Sequence, residues 1–260
     1  MLKNFLKKYS CVSDAYVIFI LFTRDFKLTH FANMFWYVRD FRETRKIKNK
    51  NFINFKLTPY LNDKTAYTPI EPVYFFQDTW AARKIFELKP KHHHDIGSSA
   101  KTIGILSQFT PITMVDIRPL PLELPNLNFI KGSILNLPFE DNSIDSVSSL
   151  CVVEHIGLGR YGDPIDSFGS EKSIIELKRI VKIGGVILFS VPVDLVNTIY
   201  FNAHRAFTRD YILSLFQDFD LIEEKYQYGF ELVETYDASR GFGTGLFMLK
   251  KVDTKLLFKK

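Results

Sequence analysis

Several short stretches carry residue types at spacings that can do chemistry, and they follow one another in a fixed order. Asp95-Ile96-Gly97-Ser98-Ser99 closes a first expected strand with a carboxylate and opens a helix with small residues, which let a backbone approach a ligand. About twenty residues on, Val115-Asp116-Ile117 ends a second apolar run with a carboxylate able to accept hydrogen bonds from the two hydroxyls of a ribose. Gly132-Ser133-Ile134-Leu135-Asn136-Leu137-Pro138-Phe139 follows, then Glu154-His155-Ile156, then Lys182-Ile183-Gly184-Gly185, then Phe201-Asn202-Ala203-His204-Arg205. His155 and His204 are the acid–base candidates, because imidazole titrates near neutral pH. Arg160, Tyr161, Asp163 and Asp166, spaced by glycines, have the make-up of a loop that covers a pocket and reads a substrate.

Other chemistries fit these residues less well. Gly97-Ser98-Ser99-Ala100-Lys101-Thr102 superficially resembles a phosphate loop, but Asp95 and Ala100 stand where that motif needs glycines. His92 and His94 would share one face of a strand, yet no further ligand has metal-site spacing, so the three consecutive histidines are expected to be strand-edge imidazoles, with no metal site. Cys151 is expected to be a buried small hydrophobe and Glu154 a loop anchor. Cys11 and Cys151 lie far apart, which excludes a disulfide framework and fits a reducing, cytoplasmic setting.

The elements that must position these residues alternate from about residue 70, which argues for βαβ units and a largely parallel sheet. A lead-in helix is expected over Asp78–Leu88, strands over His92–Ile96, Thr113–Ile117, Leu127–Lys131, Ile144–Leu150 and Val186–Val191, and helices over Ala100–Phe109 and Glu171–Lys182. Arg209–Asp218 reads as helix, and Asp220–Tyr228 and Gly245–Val252 as two late strands.

In this order, over roughly residues 78–252, the motifs resemble the class I S-adenosylmethionine-dependent methyltransferases. Within them, Val153 to Asp166 and Phe201-Asn202-Ala203-His204-Arg205 are similar to an uncharacterised domain-of-unknown-function family shared by nematodes and bacteria. The resemblance implies an α/β, Rossmann-like fold with a seven-stranded, mostly parallel sheet and a reversed last strand. It implies S-adenosyl-L-methionine as cofactor, with Asp95, Gly97, Ser98 and Ser99 in the methionine-side loop and Asp116 at the ribose. Ser133 and Ile134 fall on the adenine side, and Ile117 and Leu150 are also on the cofactor surface. Bacterial relatives are associated with surface-polysaccharide biosynthesis. The chain departs from the superfamily pattern at Ser99 and Lys101, where two further glycines are common, and at Ser133, where an Asp is common.

With 260 residues, 46% hydrophobic and 24% charged, the chain has ample core-forming material and room for one large domain with an appendage. Residues 1–56 carry 12 Lys/Arg against 4 Asp/Glu, and residues 57–260 carry 22 against 25. This contrast marks 1–69 as a basic, aromatic-rich helical extension and 70–260 as the cofactor domain. Phe31, Met34, Phe35, Val38 and Phe41 recur at helical spacing between Arg39, Arg42 and Arg45, a helix expected to pack on the next domain, with peripheral membrane contact as the rival. The apolar run Ala15–Phe22 is far shorter than the roughly 20 residues of a spanning helix and lacks a cleavage site.

The expected activity is methyl transfer to a saccharide or related small-molecule hydroxyl, with Arg160, Tyr161, Asp163, Asn202 and Arg205 toward the acceptor. A non-catalytic binding protein on a degenerated fold is the first alternative. Nucleic-acid methylation is the second, disfavoured by the acidic balance of the core and by Ser149-Leu150-Cys151-Val152 where base-amine methyltransferases carry Asn/Asp-Pro-Pro-Tyr/Phe. Oligomeric state is left open. Deletion of residues 1–56 should leave cofactor binding intact; a cofactor-dead or insoluble truncation would show that the segment belongs to the folded core.

Overall fold

The computed structural model describes residues 29–47, 51 and 56–253. The chain divides into two compact units, residues 1–69 and 70–260. Cys11 and the apolar run Ala15–Phe22 lie outside the described residues. In the first unit, α1 (Thr29–Thr44) is the expected basic helix. Asp40 on it accepts hydrogen bonds from Arg39 Nε at 2.8 Å and Lys64 Nζ at 3.1 Å, and the Lys64 ammonium lies 4.9 Å from the Trp36 ring centre. Phe35, on its apolar stripe, is exposed. Among the described residues no helix is long and apolar enough to cross a membrane.

The second unit is an α/β sandwich built on an eight-stranded sheet. In chain order its elements are α2 (Pro72–Leu88), β1 (His93–Ile96), α3 (Ala100–Leu106), β2 (Ile112–Asp116), β3 (Leu127–Lys131) and β4 (Ile144–Leu150), followed by α4 (Gly169–Ile180) and β5 (Val181–Val193). A hairpin of β6 (Thr198–Tyr200) and β7 (His204–Ala206), then α5 (Arg209–Ser214), β8 (Phe219–Tyr228), β9 (Glu231–Val233) and β10 (Gly243–Lys251), complete it. The strand order is β3-β2-β1-β4-β5-β10-β8-β9. The pairs from β3 to β5 are parallel, and β10 runs antiparallel between β5 and β8. Seven of these strands form the expected sheet with its reversed last strand; β9 adds an eighth at the edge, and the β6–β7 hairpin stands as a separate two-stranded sheet.

The period-two alternation of β5 explains the layering. Val186 and Leu188 join Trp80, Ala81 and Ile85 of α2 and Ile103 and Leu106 of α3 on one face. Ile187, Phe189 and Val191 meet Ile174, Leu177 and Ile180 of α4 and Ile212 of α5 on the other. Buried on both faces, the central strands place their carboxyl ends, and the loops that follow, along one edge of the sheet, where ligands bind in such folds.

One polar network crosses this core. His93 is fully buried rather than at a strand edge, because β1 is flanked by strands on both sides. Its Nδ1 accepts from the Ser146 hydroxyl at 2.8 Å, its Nε2 donates to Ser148 Oγ at 3.0 Å, and the Ser148 hydroxyl donates to Asp95 Oδ2 at 2.5 Å. Burial holds His93 at about 3. Between that value and its ordinary one near 6.5, the unfolded chain binds a proton that the native state refuses, so stability falls as pH falls, by about 1.4 kcal/mol per pH unit. Asp95, raised to about 6 by burial, acts in the opposite sense between pH 4 and 6. The His93 contribution is isolated by comparison with His93→Gln: the loss of stability between pH 6 and pH 4, from urea unfolding, should shrink by about 2–3 kcal/mol. An unchanged pH dependence would show that His93 does not stay neutral.

Candidate functional site

The site begins where β1 ends. Asp95 is fully buried and accepts a hydrogen bond from the backbone N–H of Ser98 at 3.1 Å on Oδ1, while Oδ2 takes the Ser148 hydroxyl. This pins the turn Ile96–Ser98, in which Gly97 has φ +75° and a Cβ would lie 2.9 Å from Val152 Cγ1. Only glycine leaves that backbone both relaxed and open to a ligand. Ser98 Oγ accepts from Leu150 N at 3.0 Å, tying the turn to the end of β4, and Ser99 is the residue before the first turn of α3. The hydroxyl of Ser98 is thus used inside the protein.

Two cavities adjoin at this turn. One, of about 300 Å³, is lined by Gly97, Asp116, Ile117, Ser133 and Ile134 and by His155, Ile156 and Tyr161 to Pro164. The other, of about 700 Å³, is lined by Ser98, Ser99, Lys101 and Leu150 and by Glu71, Tyr74 and Asp78 at the start of α2. Gly97, Arg118, Cys151, His155 and Tyr161 border both. Of the nine residues expected at the cofactor, Gly97, Ser98, Ser99, Asp116, Ile117, Ser133, Ile134 and Leu150 line the two cavities, and Asp95 is fully buried and lines neither. Asp116 accepts from Arg118 N at 2.7 Å and from the Arg118 guanidinium at 3.3 Å on each oxygen. Ser133 Oγ accepts from Leu135 N at 3.2 Å.

The residues present fit S-adenosylmethionine. A carboxylate faces a slot walled by Val115, Ile117 and Ile134, beside a glycine cradle that a Cβ would fill, and the two cavities span the ordinary size range of ligand pockets, roughly 300–1,000 Å³. Asp116 would take the ribose hydroxyls, Ser133 and Ile134 the adenine, and the Gly97–Ser99 turn the methionine portion.

His155 is placed by a short 3₁₀ turn, Val153–His155, after β4. Its Nδ1 donates to Ala203 O at 2.7 Å, so Nε2 carries the free lone pair. Burial, helped by the charge of Arg160, lowers its pKa to about 4, so the ring is neutral at pH 7. Glu154 is buried and raised to about 8 by burial; its Oε1 lies 3.5 Å from His155 Nε2, and its Oε2 has no partner. Burial likewise keeps the Cys151 thiol protonated at the cleft floor. His204 does not border either cavity. It packs against Tyr200 at 5.0 Å and Phe242 at 5.7 Å between ring centres, 6.4 Å from His155.

The substrate candidates separate. Tyr161 and Asp163 border the cleft, and the Asp163 carboxylate accepts from Gly157 N at 2.6 Å and Tyr161 N at 3.3 Å, shaping the loop. Arg160 donates to Ala203 O at 2.9 Å and lies over the Tyr161 ring. Asn202 is a turn residue at the hairpin tip with φ +57°. Arg205, expected toward the acceptor, is instead buried, its guanidinium donating to Ile156 O, Ser170 Oγ and Asp166 O. The sheet position of β7 turns that side chain inward, where loop carbonyls need a donor. His92, paired with Thr113 Oγ1 at 2.9 Å, and His94, its ring tilted 55° to that of His92 with centres 4.8 Å apart, belong to no metal-holding cluster among the described residues.

Arg118, Tyr74 and Asp78 border the cleft without having been singled out in the sequence. Arg118 follows Asp116 by two residues, a spacing at which a turn folds a side chain back, and Asp78 accepts the Thr102 hydroxyl from α3 at 2.5 Å.

Comparison with known proteins places this geometry. Residues 136–246 match the model of a family described as Caenorhabditis protein of unknown function, DUF268. No curated protein matches the sequence. Among solved structures, the YcgJ protein of Bacillus subtilis superposes with a TM-score of 0.51 at 15% identity, over 69% of this chain and 99% of that one. The N-methyltransferase NodS of Bradyrhizobium japonicum, solved with S-adenosyl-L-homocysteine, superposes at 0.50 and 11% identity, over 70% and 89%. A candidate sarcosine dimethylglycine methyltransferase of Galdieria sulphuraria superposes at 0.50 and 15% identity, over 69% and 86%. The second unit has the Rossmann-like fold of class I S-adenosylmethionine-dependent methyltransferases.

Arg205→Ala tests the corrected role. It strands three acceptors and should cost at least about 2 kcal/mol of stability, seen as a lower melting temperature. An unchanged melting temperature would return Arg205 to the acceptor side.

Proposed function

We propose that the chain is an S-adenosylmethionine-dependent methyltransferase that methylates a hydroxyl of a saccharide or related small molecule in the cytoplasm, within surface-polysaccharide biosynthesis. The observation that carries the reading is His155: a neutral imidazole, its Nδ1 held by Ala203 O, that borders two cavities, one of which presents Asp116, Ser133 and the Gly97 turn. The fold of the superposed methyltransferases supports it.

When bound, the cofactor supplies a methyl group already activated on a sulfonium. The protein's task is then alignment and exclusion of water. Asp116 and the Gly97 turn would hold the cofactor end of the line. Tyr161 and the loop His155–Pro164 border the cleft and limit water. His155 Nε2 would take the proton of the acceptor hydroxyl, and its Nδ1 contact to Ala203 O would steady the imidazolium. An imidazole held at about 4 is a weak base, sufficient where the leaving group does most of the work.

Asp116→Ala should weaken S-adenosylhomocysteine binding in calorimetry about 10- to 100-fold, equal to about 1.5–3 kcal/mol, with the melting curve little changed. Unchanged affinity in a folded variant would overturn the cofactor assignment. His155→Ala should bind S-adenosylhomocysteine normally and lose turnover. Because the base stays unprotonated above about pH 4, wild-type turnover should hold level from pH 8 down to about pH 5. A fall centred near pH 6.5 would show that an ordinary imidazole, not this one, carries the proton.

A further inference from the structure

One aromatic ring at the mouth of the cleft holds two cations. The Arg118 guanidinium carbon lies 4.7 Å from the centre of the Tyr161 ring and that of Arg160 5.1 Å from it. The two arginines arrive from different elements, Arg118 after β2 and Arg160 in the loop after β4, and both side chains are exposed to solvent. Among the described residues no carboxylate lies within ion-pair distance of Arg160, whose Nη1 donates to the Ala203 carbonyl at 2.9 Å and lies 3.3 Å from His155 Nδ1. Arg118 has a partner in Asp116, but its two side-chain bonds are long, at 3.3 Å each. The nearby Asp163 carboxylate is committed to two backbone N–H groups. Two like charges stacked on one ring repel unless an anion lies between or beside them, and a guanidinium presents the planar fork that matches carboxylate and phosphate oxygens.

We infer that Arg118 and Tyr161, which border both cavities, form with Arg160, which lies over the same ring outside their lining, an anion clamp that selects an acceptor bearing an oxyacid group, a phosphate or a carboxylate, beside the hydroxyl to be methylated. The inference rests on the methyltransferase reading and narrows its substrate class from saccharides to anionic saccharides. Binding of ribose hydroxyls to Asp116 loosens the weak Arg118 bonds, so the clamp gains its second free cation when the cofactor site is filled. The tyrosine ring contributes as a surface, and its hydroxyl is dispensable.

The test uses the full chain saturated with S-adenosylhomocysteine, titrated with glucose 1-phosphate, glucuronate and glucose in low salt. At least one charged sugar should bind 10-fold or more tightly than glucose, and comparison of the two identifies phosphate or carboxylate as the recognised group. Arg160→Ala and Tyr161→Ala should each lose 10-fold or more of that preference, while Arg160→Lys restores part and Tyr161→Phe keeps it. S-adenosylhomocysteine affinity in Arg160→Ala should stay within threefold of wild type, which separates the clamp from the cofactor site. Equal binding of glucose and both charged sugars, or a preference that survives Arg160→Ala, would overturn the clamp. Failure of the wild-type protein to bind S-adenosylhomocysteine would overturn the methyltransferase reading and, with it, the clamp that depends on a filled cofactor site.

Discussion

A carboxylate buried at the end of the central strand must be satisfied from inside the protein, and the way Asp95 is satisfied organises the rest of the site. Its oxygens take one backbone N–H from the turn that follows and one hydroxyl from β4. Ser148, the donor from β4, is in turn held by His93. The Gly97 turn is therefore tied to two strands at once, and Ser98 repeats the tie through Leu150 N. A rigid turn at that point leaves the backbone open between two cavities. Eight of the nine residues expected at a cofactor line those two cavities, with Asp95 buried outside them.

The loop from His155 to Asp166 forms the opposite wall and is built with equal economy. Gly157 has φ +84°, and a Cβ there would lie 2.1 Å from Asp166 O, so the loop closes on itself only with glycine. Asp163 gathers its N–H groups and Arg205 its carbonyls. Arg205 enters from the β6–β7 hairpin, which also supplies the Ala203 carbonyl that sets the His155 tautomer. The inserted hairpin thus fixes the orientation of the acid–base candidate without presenting a side chain to the cleft.

Much of this was legible in the sequence because it depends on local rules. Strand ends followed by Asp95-Ile96-Gly97 and by Asp116 must lie at the carboxyl edge of a parallel sheet, whatever the details of packing. β3 and β4 fall at the expected residues, and β5 is longer than expected because its first residues pair with β4 before a bulge. The failures are those of side-chain direction and long-range pairing. Arg205 and His204 are adjacent to the right loop, but a three-residue strand decides which way each points, and no periodicity is measurable over so short a length. His93 looked like one of three equivalent imidazoles until β2 and β4 enclosed it. Arg118 has no motif; its place follows from the turn after Asp116 and from the Tyr161 ring brought in from 43 residues away along the chain.

The most direct test of the central claim is a crystal structure of the full chain grown with S-adenosylhomocysteine. The account predicts one molecule along the cleft, its ribose hydroxyls on Asp116, its adenine beside Ser133 and Ile134, and its methionine portion against the Gly97–Ser99 turn. An empty cleft at saturating ligand, or a molecule bound without contact to Asp116, would contradict it.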